Sequence, residues 1–180
     1  MVEKLITVDQ KKKIFHLHNS KISYLLSVED GGTLCHLYFG KRVNDYHGQL
    51  HYPRVDRGFS GNLPGSLERR FSRDTLPKEY STAGEMDYHT PAAIVRQKDG
   101  SNALFLTYKD YQIVDGKPDL KGLPHAWVKN NSEAQTLIVT LEDKKTGLLF
   151  DLLYTIYRDR AVITRSVKVR NEGKEPVKLE

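Results

Sequence analysis

The sequence predicts an all-β protein built as an antiparallel β-sandwich. Apolar and polar residues alternate with period two in many short runs, and clusters of Gly, Asn, Asp and Lys separate these runs. No stretch carries the helical pattern over a window of convincing length. Many short antiparallel strands joined by turns are typical of a sandwich around an apolar core.

The N-terminal part of the chain predicts three strands. Ile14–His18 and Ile22–Val28 flank Asn19-Ser20, a candidate two-residue hairpin turn. Leu34–Phe39 follows the glycine-containing turn Asp30-Gly31-Gly32 and forms the third strand. These elements predict a run of strands that are neighbours in the sheet.

The remaining strands are predicted further along the chain. The clearest is residues 148–157, which pairs across Arg158-Asp159-Arg160 with a strand from Ile163 to Arg170, where Arg165 is the one charge on the apolar face. Residues 137–141 alternate in the same way just before it, joined by the tight stretch 143–147. Shorter strands are expected at Ala92–Gln97, Leu104–Thr107 and Tyr111–Val114.

Composition excludes several classes of protein. The chain has 180 residues and a formal net charge of +5, but its Lys and Arg are interleaved with acids, so we expect no nucleic-acid partner. No run approaches the ~18 apolar residues of a membrane span, and the charged stretch Met1–Lys13 does not resemble a secretion signal. The single cysteine, Cys35, excludes an internal disulfide and favours the cytoplasm.

No cofactor or metal is expected either. His47 and His51 have the spacing of a helical metal pair, but Gly48 and Pro53 oppose a helix there, and no third ligand is fixed by spacing. The sequence has no phosphate-binding glycine loop, dinucleotide fingerprint or nucleophile elbow.

Arg42–Pro91 departs from the strand pattern and is the predicted functional region. It has little alternation but many Gly, Pro, Arg, Asp and aromatic residues, and a long ordered loop in a compact domain is usually functional. Its carboxylates could accept hydrogen bonds from sugar hydroxyls. For any single acid, pairing with a nearby arginine to stiffen the loop is the commoner outcome. The acids in question are Asp45, Asp56, Asp74, Glu79, Glu85 and Asp87.

An ordered set of motifs gives this chain a resemblance to a known family. The motifs are residues 34–41 (LCHLYFGK), 51–62 (HYPRVDRGFSGN), 74–80 (DTLPKEY), 87–92 (DYHTPA), 121–124 (KGLP) and 162–166 (VITRS). Together they resemble the N-terminal domain of bacterial α-galactosidases of glycoside hydrolase family 36.

The resemblance implies a fold and an activity for a longer parent. It implies a galactose mutarotase-like β-supersandwich, of which residues 1–180 are all or the first part, ahead of a catalytic (β/α)8 barrel. It implies retaining hydrolysis of terminal α-galactosyl groups by two barrel aspartates, so we expect no catalytic residue in this chain. The sequence ends at Val177–Glu180, which has the pattern of the start of a strand, and this is consistent with a piece of a longer protein.

The resemblance also implies a binding residue and an assembly. Asp56 matches a family residue that contacts the galactoside or its pocket in a neighbouring subunit, and Arg57, Phe59 and Asn62 are its neighbours in the loop. The family is typically tetrameric, so a homotetramer is expected for the parent. A stand-alone carbohydrate-binding sandwich and a structural oligomerisation module remain the alternatives.

Overall fold

The protein is described here from a computed structural model, which covers residues 4–44, 46, 75–84, 88–122 and 124–180. The described chain forms ten β-strands and two single turns of 3₁₀ helix. The strands are β1 (Ile6–Asp9), β2 (Ile14–His18), β3 (Ile22–Glu29), β4 (Thr33–Lys41), β5 (Val95–Arg96), β6 (Thr107–Asp115), β7 (Ala134–Asp143), β8 (Leu148–Tyr157), β9 (Ile163–Asn171) and β10 (Lys178–Leu179).

The strands form two four-stranded antiparallel sheets and one small ribbon. The first sheet has the order β1-β2-β3-β4 and the second has the order β6-β7-β8-β9, so each is a meander in chain order. The ribbon pairs β5 with β10. Short connections of this kind place consecutive strands side by side. The predicted antiparallel β-sandwich is confirmed.

The apolar core lies between the two sheets. β2, β3 and β4 contribute residues such as Phe15 and Leu26, and Tyr24 of β3 meets Tyr154 of β8 with 6.0 Å between ring centroids. The face of β8 that the sequence predicts to be apolar is buried along its whole length. It consists of Leu148, Phe150, Leu152, Tyr154 and Ile156.

The outer face of β8 is buried too, and its polar groups are satisfied by the neighbouring strands. Asp151 accepts hydrogen bonds from Arg170 of β9 at 2.9 and 3.0 Å and from the Thr140 hydroxyl of β7 at 2.9 Å. These cross-strand contacts allow a carboxylate to lie in the middle of a buried strand.

Side-chain hydrogen bonds fix the two hairpin turns that set the sheet register. The amide oxygen of Asn19 accepts from the backbone N–H groups of Lys21 and Ile22 at 2.8 and 2.9 Å, so residues 19–21 connect β2 to β3. Between β7 and β8, the Asp143 carboxylate accepts from the N–H groups of Lys145 and Thr146. Asn and Asp favour such turns because their short side chains reach the backbone two residues on.

A close contact between two turns depends on two glycines. Gly147 ends the β7–β8 turn with a φ of +76°, and its carbonyl accepts from the N–H of Glu172 at 3.0 Å. A Cβ atom added to Gly173 would lie 2.0 Å from the carbonyl oxygen of Thr146. The two turns can therefore approach only without side chains at these positions.

Three local expectations from the sequence differ from the structure. The strand expected at Ala92–Gln97 is limited to Val95–Arg96, which is β5. β1 was not predicted, because its short alternation of Ile6 and Val8 lies in a charged stretch. Residues 104–106 are not a strand, although Leu104 and Leu106 are buried. The N–H of Leu104 donates to the carbonyl of Ala83, and the N–H of Phe105 donates to the Asp143 carboxylate, so these groups are satisfied outside a ladder.

Within the described ranges, no helix is long and apolar enough to cross a membrane.

The Asp151–Arg170 contact predicts a pH dependence of stability. Burial raises the pKa of Asp151, but hydrogen bonds from Arg170 and Thr140 and the charges of Arg170 and Lys168 together lower it below its ordinary 3.8. The contribution of the ionised carboxylate is therefore complete above the unfolded-state pKa and is lost as pH falls through the folded-state pKa.

We expect Asp151→Asn to lower the free energy of unfolding by about 1 kcal/mol near neutral pH, since Arg170 is partly solvated. The difference between variant and wild type should shrink below about pH 4, as measured by urea unfolding at several pH values. Asp159→Asn, at an exposed position in the β8–β9 turn, is the control. If the difference in free energy of unfolding between variant and wild type stayed constant down to acid pH, it would not arise from the ionised Asp151 carboxylate.

Candidate functional site

Residues 75–84 are the described part of the predicted functional region that packs into the sandwich. The N–H of His36 donates to the carbonyl of Pro77 at 2.8 Å, and the N–H of Glu79 donates to the carbonyl of Leu34 at 3.0 Å. These bonds add the segment to the edge of β4, and Leu76 is buried beneath it. An otherwise open sheet edge is thereby paired.

The Glu79 carboxylate lies at the centre of a cluster that joins both sheets. Its side chain is only 2% exposed. From the first sheet, the Tyr24 hydroxyl donates to Oε1 at 2.7 Å, and His36 Nδ1 lies 3.2 Å from the same oxygen. From the second sheet, the Tyr154 hydroxyl donates to Oε2 at 3.0 Å, and Arg165 Nη2 lies 2.8 Å from Oε2. We call these five residues the Glu79 cluster.

Arg165 makes two further contacts in this cluster. Its Nη2 also donates to the backbone carbonyl of Glu79 at 3.0 Å. Its guanidinium lies over the ring of Tyr154, 5.3 Å from the ring centroid, which is a cation–π distance. One arginine of β9 therefore holds both the side chain and the backbone of residue 79.

The electrostatics of the cluster keep its phenols protonated and its arginine charged. Burial raises the pKa of Tyr24, and the negative charge of Glu79 and its hydrogen bond raise it further. Burial likewise raises the pKa of Tyr154 well above its usual value, and the charge of Glu79 adds to the effect. Burial lowers the pKa of Arg165, but the charge of Glu79 and the interactions with Tyr154 and Tyr24 together offset this, so the net shift is upward.

This geometry makes Glu79 a structural carboxylate. Each carboxylate oxygen accepts from one buried phenol, and a nitrogen lies beside each, His36 Nδ1 at Oε1 and Arg165 Nη2 at Oε2. With its side chain 2% exposed and both phenols committed as donors, the carboxylate is closed to a sugar hydroxyl. For this acid, pairing with an arginine is therefore the outcome, although the arginine is in β9 rather than in the loop.

The sequence holds one signal for this cluster. Arg165 is the one charge on the apolar face predicted for its strand, and a charge in that position requires a buried partner. Tyr154 lies opposite Arg165 in the β8–β9 hairpin, so the predicted pairing of these strands brings the two together. Nothing in the local pattern identifies Tyr24 and His36, which lie on β3 and β4, far from β9 in sequence.

The residues predicted to contact substrate lie outside the described part of the chain. They are Asp56, Arg57, Phe59 and Asn62. The other candidate acids Asp45, Asp74, Glu85 and Asp87, and the histidine pair His47 and His51 considered for a metal, lie outside it as well. Among the described residues, no group of three or more His, Cys, Asp or Glu side chains could hold a metal ion.

Comparisons with known proteins agree on one family. Residues 32–180 match the family model described as the glycosyl hydrolase family 36 N-terminal domain. The chain is 71% identical over 180 residues to α-galactosidase Mel36A of Lactobacillus acidophilus and 42% identical over 174 residues to α-galactosidase AgaA of Geobacillus stearothermophilus. These alignments cover 100% and 97% of this chain but only 25% and 24% of the relatives. The chain therefore spans about a quarter of the length of the curated relatives it matches.

Solved structures show the same relationship. The crystal structure of the family 36 α-galactosidase AgaB from Geobacillus stearothermophilus superimposes with a TM-score of 0.89 at 41% identity, over 98% of this chain and 24% of that one. A variant of AgaA in complex with raffinose superimposes with a TM-score of 0.87 at 44% identity, over 93% of this chain and 23% of that one.

The Glu79 cluster predicts a large loss of stability when its carboxylate is removed. Glu79→Ala leaves the buried hydroxyls of Tyr24 and Tyr154 without their acceptor and leaves Arg165 without its counter-ion. We expect the free energy of unfolding to fall by about 3–5 kcal/mol, measured by urea unfolding.

Glu175→Ala is the matched control for this measurement. Glu175 forms a solvent-exposed ion pair with Lys98 at 2.9 Å, so its removal should cost less than about 1 kcal/mol. Equal losses for the two variants would show that Glu79 is no more important to the fold than an ordinary surface acid.

Proposed function

Because the chain belongs to glycoside hydrolase family 36 as its N-terminal domain, we propose that it is part of an α-galactosidase that hydrolyses terminal α-D-galactosyl residues from galacto-oligosaccharides of the melibiose and raffinose type. The observation that carries this proposal is 71% identity over all 180 residues with a relative named as an α-galactosidase. The alignment spans the entire chain, so the identity is not confined to one segment of the domain.

The catalytic groups of the parent are proposed to lie outside these 180 residues. The matched relatives are about four times longer, and this chain aligns with a quarter of each. Retaining hydrolysis needs a nucleophile and an acid/base whose carboxyl groups are about 5–5.5 Å apart. In the described part of the chain, the Glu79 carboxylate is saturated by its own partners and Asp151 is paired with Arg170, so neither can take these roles.

The role proposed for this domain is to support the substrate pocket and the oligomer. Asp56 would accept hydrogen bonds from galactose hydroxyls, since a carboxylate makes strong charge-assisted bonds of this kind. Arg57, Phe59 and Asn62 are proposed as its neighbours at the sugar. The Glu79 cluster supports this proposal, because it fixes residues 77–79 to both sheets and so provides a rigid base for the functional region.

The proposed assembly is a homotetramer in which this domain reaches the pocket of a neighbouring subunit. We also propose a cytoplasmic location. Cys35 is the single cysteine of the chain and is buried, so the domain uses no internal disulfide, which fits a reducing compartment.

The first test separates the 180-residue chain from its parent. We expect the purified chain to show no turnover of an aryl α-galactoside, and we expect the full-length parent to hydrolyse it with retention of configuration, followed by NMR of the first-formed sugar. Turnover by the 180-residue chain would contradict the proposed location of the catalytic carboxylates, and a parent inactive on α-galactosides would contradict the proposed activity.

A second test addresses Asp56 in the full-length parent. Asp56→Asn keeps the size of the side chain but removes its charge, so we expect kcat/KM for melibiose to fall by about 10- to 100-fold, as for loss of a charged hydrogen bond. Asp159→Asn, at an exposed position in the β8–β9 turn, is the control and should keep wild-type kinetics. Unchanged kinetics in Asp56→Asn would make Asp56 a structural residue.

A further inference from the structure

We propose that a cavity beside Trp127 is an accessory carbohydrate subsite that takes one neutral pyranose ring. Its described lining residues are His125, Ala126, Trp127, Lys129, Glu133 and Arg160, and its volume is about 530 Å³. This volume lies within the range of roughly 300–1,000 Å³ of small-molecule sites. The residues of the cavity are the reason for proposing a sugar as its ligand. The choice of a galactoside among sugars rests on the function proposed above.

The indole of Trp127 is the platform of the proposed subsite. It is 61% exposed, although it is the largest apolar side chain type and gains most from burial. A large exposed aromatic surface at the mouth of a cavity is typical of a binding site. The flat face of an indole can stack against the C–H-rich face of a pyranose ring, in the same way that aromatic rings accept other flat ligands.

The polar rim around Trp127 suits hydroxyl groups. Lys129 and Arg160 carry only donors, while the carboxylate of Glu133 carries only acceptors. Sugar hydroxyls both donate and accept, so one ring can use both kinds of partner. An anion would pair with Lys129 and Arg160 but would leave the carboxylate of Glu133 facing a like charge, and an entirely apolar ligand would leave three charged groups dehydrated.

The rim is held in place before any ligand binds. Glu133 Oε1 accepts from the N–H of Asn130 at 3.0 Å in a capping box, which fixes the 3₁₀ turn of residues 131–133. Arg158 Nε donates to the carbonyl of Ser132 at 3.1 Å, and its N–H donates to the carbonyl of Glu133 at 2.8 Å. A rim that is already ordered loses little entropy when a ligand binds.

Arg160 is also anchored, through both its side chain and its backbone. Its guanidinium lies 5.8 Å from the ring centroid of Tyr157, and its carbonyl accepts from the side-chain amide of Asn19 at 2.8 Å. The subsite therefore brings the β8–β9 turn together with the segment that precedes β7, and both parts are fixed to the sandwich.

The sequence supplies a specific probe of this site. Trp127 is the single tryptophan in the 180 residues, so intrinsic fluorescence of the chain reports on this one position. We expect galactose, melibiose and raffinose to shift and quench this emission with a millimolar dissociation constant, while inorganic phosphate at equal concentration leaves it unchanged.

Variants then test the platform and the rim separately by ligand-observed NMR. Trp127→Ala should weaken melibiose binding at least tenfold, and Trp127→Phe should recover part of it because a ring remains. Glu133→Gln should weaken binding severalfold while keeping the capping oxygen. Leu179→Ala, which shortens an exposed apolar side chain elsewhere, should bind as wild type does. Circular dichroism of each variant confirms that it keeps the strand signal.

The proposal is overturned if no sugar changes the emission, if phosphate changes it as much as melibiose does, or if Trp127→Ala binds melibiose as wild type does. These failures are distinguishable from failure of the proposed function. A parent that cleaves α-galactosides while Trp127 ignores sugars removes the subsite alone. If Trp127 responds to sugars in the 180-residue chain while the parent has no α-galactosidase activity, the hydrolase proposal alone is removed.

Discussion

A single buried carboxylate, Glu79, joins the two sheets of this protein. It receives Tyr24 and His36 from one sheet and Tyr154 and Arg165 from the other, and its own backbone is paired to β4. Burying a charge is costly unless every lone pair is used, and removing any partner leaves that cost unmatched. The contact therefore constrains the spacing of the sheets and the path of residues 75–84 together.

The remainder of the sandwich distributes its polar groups by the same rule. Asp151 and Asp143 are both buried carboxylates, and each is satisfied by hydrogen-bond donors of neighbouring segments. Asp151 uses Arg170 and Thr140 across the ladder, whereas Asp143 uses backbone N–H groups of its own turn and of Phe105. Buried acids thus stabilise the structure at the hairpin end, in the middle of the sheet and between the sheets.

Local patterns in the sequence predicted most of the fold, and long-range pairing explains what they missed. The strands from Ile14 to Lys41 and from Ala134 to Asn171 follow from alternation and turn residues, because both signals are encoded within a few neighbouring positions. β1 was not predicted because its alternation lies in a charged stretch. Residues 104–106 have the apolar pattern of a strand but pair with no other strand. The Glu79 cluster could not be assembled from the sequence, since its members are separated by up to 141 positions; Arg165 alone signalled it. Asp56 was identified by resemblance to a family and not by its neighbours in the chain.

The contact between the turns at Gly147 and Gly173 limits which substitutions these two positions can accept. Backbone of one turn lies where any side chain on the other would be, so the two positions can change only together and only with a shift of both hairpins. By contrast, a Cβ atom at Gly100 would meet nothing within 4 Å, and only the φ of +83° favours glycine there. Insertions and deletions among related sequences should accordingly accumulate in the turn at Gly100, while the two turns that meet at Gly147 and Gly173 keep their length.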